Sequence, residues 1–67
     1  MNRVHYMVSG LQNNQIKTQV KNVLEDLEGV QMVNVDLGRC SIEVGYNEKT
    51  DEDAIRQSIE HIGCKIE

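Results

Sequence analysis

Apolar and polar positions alternate in four short stretches of the chain and recur at helical spacing in two others. Val4, Tyr6 and Val8 share one side of a period-two pattern, with His5 and Met7 on the other, which predicts a first strand. Residues 9–14 are loop chemistry, and Asn13 or Asn14 is placed to cap a helix by accepting a free amide of its first turn. Ile16, Val20, Val23, Leu24 and Leu27 then form one apolar stripe, predicting a helix over about residues 14–28 that Gly29 closes. Alternation returns from Val30 to Leu37, turns at Gly38-Arg39 and continues through Ile42, Val44 and Tyr46, as in a hairpin. A polar connection ends at Thr50, read as the cap of a second helix. Asp51, Glu52 and Asp53 load the positive end of that helix with negative charge. Its stripe is Ala54, Ile55, Ile59 and Ile62. Gly63 stops it, and Cys64-Lys65-Ile66 begins a short last strand.

The predicted order is strand, helix, strand, strand, helix, strand. Helices with one apolar face and strands that alternate are satisfied together by two layers. The expected fold is therefore an α+β, ferredoxin-like βαββαβ sandwich, with a four-stranded antiparallel sheet and two helices on one face. With 67 residues, the chain has room for a single domain over 1–67 and no buried multi-part active site. The formal charge of −4 and the lack of Trp and Phe argue against nucleic acid as a partner. Apolar runs are too short for a membrane span. The opening residues carry no export signal, and two cysteines make no disulfide framework, so a reducing cytoplasm is expected. No glycine-rich phosphate loop and no nucleophile with an evident base is present, so the protein is not expected to be an enzyme.

At Val8-Ser9-Gly10-Leu11-Gln12-Asn13-Asn14-Gln15-Ile16, then Val20, Leu24 and Gly29-Val30, the chain resembles the heavy-metal-associated domain family. That family includes small copper chaperones and the metal-binding modules of copper-transporting P-type ATPases. The resemblance extends through Val33 to Leu37, Ile42 to Val44, and Ile55, Ile59 and Ile62-Gly63 to Ile66. The family's motif at this loop is Gly-Met-x-Cys-x-x-Cys. Gly10 matches, Leu11 keeps the apolar role of the Met, and the two cysteine positions fall on Asn13 and Ile16. Asn offers a hard amide oxygen and Ile offers no donor, whereas a soft ion such as Cu(I) prefers thiolates. The usual ligand pair does not carry over. Both replacements have structural uses, since Asn13 can cap the first helix and Ile16 can join its stripe.

Cys40 and Cys64 remain as candidate soft-metal ligands for Cu(I) or another soft ion. They open the third and fourth strands, at the sheet end that holds the first loop, and strand parity directs both toward the helices. Two strands flanking a third stand about 9–10 Å apart, which is long for a shared ion and beyond a disulfide. Packing in the core or at the edge is the competing account of both thiols. His61 or Met7 could assist, while His5 and Met7 share the face away from the helices. Lys17 and Lys21, one turn apart near the loop, sit where the family often meets a partner; otherwise they are a solvated helix face. Two functions follow from the resemblance. One is a metallochaperone-like module with a degenerate motif, meeting a metal-transporting ATPase module or a second copy of itself. The other is a metal-free interaction or regulatory domain that kept the fold.

Overall fold

The structure is a computed structural model that describes residues 2–67. Its elements run β1 (Asn2–Ser9), α1 (Asn14–Glu25), β2 (Val30–Asp36), β3 (Ser41–Tyr46), α2 (Glu52–Ile62) and β4 (Lys65–Ile66). All strand pairs are antiparallel, in the order β2-β3-β1-β4. This is the expected ferredoxin-like sandwich, with β1 between β3 and β4.

Register explains the layering. Val4, Tyr6 and Ile42 to Val44 meet across β1 and β3, where Val4 pairs with Val44 and Tyr6 with Ile42. Val33 and Val35 continue those rows on β2. This face receives Val20 and Leu24 of α1 and Ile55 and Ile59 of α2, all fully buried. Burying side chains of this size contributes about 1.5–3 kcal/mol each, which makes this stripe-on-sheet contact the main source of stability. The opposite sheet face carries His5 and Met7 and is open to solvent.

Local chemistry moves two boundaries, and the packing shifts one residue of the apolar stripe. Helix α1 ends at Glu25, three residues early: the Asp26 N–H bonds back to the Asn22 carbonyl, and Leu27 N–H makes a tighter bond to the Leu24 carbonyl at 3.1 Å. Leu27 still packs on the core, so its apolar spacing reports burial rather than helix. The cap of α2 is Asp51 and not Thr50, because the Asp51 carboxylate accepts from Ala54 N–H at 2.9 Å. Val23, counted in the apolar stripe, lies at its margin and is 37% exposed.

Candidate functional site

Three segments converge at one end of the sheet. The first loop leaves β1 at Gly10, whose backbone is left-handed (φ 98°). A Cβ on Gly10 would stand 3.3 Å from the Gly63 carbonyl oxygen and 3.5 Å from the Cys64 Cα, so the loop rests directly on the entry to β4. Leu11 turns inward and is buried. Asn13 then starts α1 as its cap, accepting from Ile16 N–H at 3.0 Å, and Ile16 packs against the core. The loop therefore begins the helix with an amide cap and an apolar anchor, both as the residue types imply.

The two cysteines are free, and they differ. Cys64 is 4% exposed and belongs to the core cluster, and burial pushes its thiol pKa up. Cys40 is exposed, which corrects the expectation that strand parity would turn it toward the helices. Parity fails because Cys40 is not in the strand. It closes the turn at φ 52°, its N–H donating to the Leu37 carbonyl at 3.3 Å and its own carbonyl accepting from Val8 N–H at 2.8 Å. Extending the registers by one step sets Cys40 opposite Val8 and Cys64 opposite Gly10. That offset of two residues, added to two strand spacings, separates the Cα atoms by about 11 Å. The thiols share an end of the sheet but are not preorganised around one point.

The remaining candidates stand apart. His5 and Met7 lie on the open sheet face, the far side of the sheet from Cys64. His61 is exposed in the last turn of α2. Among the described residues, no three of His, Cys, Asp and Glu come together as metal ligands. Lys17 lies in the first turn of α1 and Lys21 one turn further on, the former half-buried and the latter exposed. The structure adds a shallow polar basin on the open face, about 230 Å³, where His5, Glu43 and Asn34 form one cross-strand row. Sequence parity placed His5 on this face, but only the register brings it beside Glu43.

No family model matches the chain, and no curated protein matches it. Solved structures do. The CopZ metallochaperone, 22% identical, aligns with a TM-score of 0.94 over 98% of this chain and 100% of its own. The chain has the heavy-metal-associated fold. A copper binding domain from HMA7, a P-type ATPase, aligns at 24% identity and TM-score 0.93, covering 100% of this chain and 92% of that one. The yeast copper transporter domain CCC2A, solved in apo and Cu(I)-loaded states, aligns at 25% identity and TM-score 0.90, over 98% and 94%. These neighbours are metallochaperones and metal-binding domains, not enzymes. No helix among the described residues is long and apolar enough to cross a membrane.

Proposed function

We propose that the chain is a heavy-metal-associated-type binding module that takes Cu(I) or another soft ion weakly, with Cys64 as anchor and Cys40 as second donor. The observation that carries this reading is the seat of Cys64 directly beneath the loop at Gly10. Cu(I) selects thiolates, and these are the chain's two thiols. Affinity is low for two reasons. The Cys40 turn must close over the strand end to bring its sulfur into reach, and ordering it opposes binding. The buried Cys64 thiol must also lose its proton to become a ligand. Because burial raises that pKa, metal affinity rises with pH across the neutral range.

In this reading the module works in the cytoplasm and meets a metal-transporting ATPase module, with Lys17 and Lys21 beside the loop as its docking cations. The P-type ATPase domains among the structural neighbours support such a partner. The test is an anaerobic titration of the reduced protein with Cu(I) against a chromophoric chelator, alongside Cys64→Ser and Cys40→Ser. Wild-type competition that weakens in Cys40→Ser and vanishes in Cys64→Ser is expected. A wild type that does not compete, or variants that compete as well as it does, overturns the assignment.

A further inference from the structure

The open face of the sheet holds a second set of donors, and none of them is a thiol. The Val8 N–H bonds to the Cys40 carbonyl, so every second residue of β1 counted back from Val8 exchanges hydrogen bonds with β3. His5 and Glu43 therefore oppose each other at a non-hydrogen-bonded position, where Cα atoms approach to about 4.5 Å and side chains stand closest. Asn34 flanks Glu43 on its other side, from β2. The basin of 230 Å³ over this row is also lined by Asp36, Arg39 and Ser41. Asp36 and Arg39 satisfy each other: the Arg39 N–H donates to Asp36 Oδ1 at 3.2 Å, and the side chains pair at 4.0 Å. Among the described residues, the side chains of His5, Asn34, Ser41 and Glu43 make no hydrogen bond or ion pair. Ser41 is only 5% exposed, yet its hydroxyl keeps access to the basin and has no protein partner. A hydroxyl so placed costs stability unless something outside the protein completes it.

We propose that this row is a metal site separate from the thiols, for a borderline divalent cation such as Zn(II), Ni(II) or Co(II). An imidazole nitrogen beside a carboxylate oxygen is a donor pair that such ions take, whereas Cu(I) prefers sulfur. His5 and Glu43 are its direct ligands, the Asn34 carboxamide oxygen is a third, and water fills the remaining positions. The Ser41 hydroxyl holds one of those waters, which supplies the partner it lacks within the protein. Other occupants fit less well. The unpaired Glu43 carboxylate repels an anion, and a hard ion such as Mg(II) or Ca(II) takes oxygen and leaves His5 unused. Only two of the donors are histidine or carboxylate, so the site is open and holds its ion weakly.

The experiment titrates the reduced protein with Co(II) up to about 1 mM, a range that reveals weak binding, and follows amide NMR and absorbance together. Paramagnetic broadening centred on residues 5, 34 and 43 is expected, without the thiolate-to-cobalt charge-transfer band that sulfur ligation brings. Zn(II), which binds such donors more tightly, displaces the cobalt and reverses the broadening. His5→Ala and Glu43→Gln, both on the open face, keep the amide spectrum of the fold and weaken binding at least about tenfold, the scale of losing one partner in a metal site. Ser41→Ala weakens it less, and Cys40→Ser, at the nearest thiol, leaves it unchanged. Absence of broadening overturns the site. Broadening that spreads evenly over the surface carboxylates, that centres on Cys40 with a charge-transfer band, or that survives His5→Ala also overturns it. The thiol assignment is tested separately, by Cu(I), and neither outcome decides the other.

Discussion

The two turns that flank the end of β1 hold one thiol each, and they have opposite characters. On the β4 side, Cys64 is sealed beneath Gly10 and counted in the core. On the β3 side, Cys40 closes an exposed turn in a left-handed conformation, its sulfur only 3.7 Å from the Leu37 carbonyl oxygen in a weak contact. The same residue type at the same end of one sheet is thus a packing group in one corner and a reactive handle in the other. The difference teaches that chemistry at this end is gated by packing. Cys64 is available only when the loop lifts, whereas Cys40 is available always.

The sharpest way to break that contrast is alkylation of the native protein, followed site by site by mass spectrometry. Cys40 is expected to react at least about a hundredfold faster than Cys64, because a buried thiol reacts only through local opening. Equal rates would mean that the Gly10 corner does not seal Cys64. Next in size is Gly10→Ala. The left-handed backbone disfavours any Cβ, and the new atom would crowd the Gly63 carbonyl oxygen at 3.3 Å. We expect a loss of about 2 kcal/mol, or roughly 8–16 °C in Tm by calorimetry, with Cys64 alkylating faster. A variant as stable as the wild type would show that the corner is loosely built. A smaller effect of opposite sign belongs to the other turn. Cys40→Gly relieves a non-glycine left-handed residue, at some cost in unfolded-state entropy, for a net gain of about 0.5–1 kcal/mol in denaturant unfolding. A loss of stability would show that the Cys40 side chain holds the turn.

Most of the fold was legible because alternation and helical stripes are direct images of burial. Val4, Tyr6 and Val8, or Ile55 and Ile59, have few other ways to be satisfied. The site was legible only in part. Asn13 and Ile16 followed from local rules, a cap and an apolar anchor. Cys40 did not, because parity assumes an extended backbone and says nothing about where a turn ends. The left-handed position of that turn fell on Cys40 rather than on Gly38, the residue that tolerates it best. The choice between Thr50 and Asp51 failed for a related reason: two good caps stood in sequence, and the helix starts after the second.

The finest test of the contrast is the pH dependence of stability. Burial raises the Cys64 thiol above its ordinary pKa of 9.0. Well below pH 9 the thiol is protonated in both folded and unfolded chains, and its contribution is fully present. As pH climbs past 9 the unfolded chain gives up that proton first, which draws the equilibrium toward unfolding until the folded thiol ionises too. Urea midpoints taken at about pH 8 and about pH 9.5 should therefore show lower stability at the higher pH. Cys64→Ala removes that decline, and Cys40→Ser keeps it. Tyr6 follows the same sign at higher pH, since burial also raises its hydroxyl above 10.0, so the decline that survives in Cys64→Ala should begin later. If Cys40→Ser flattens the profile and Cys64→Ala does not, the sealed and open corners have been assigned the wrong way round.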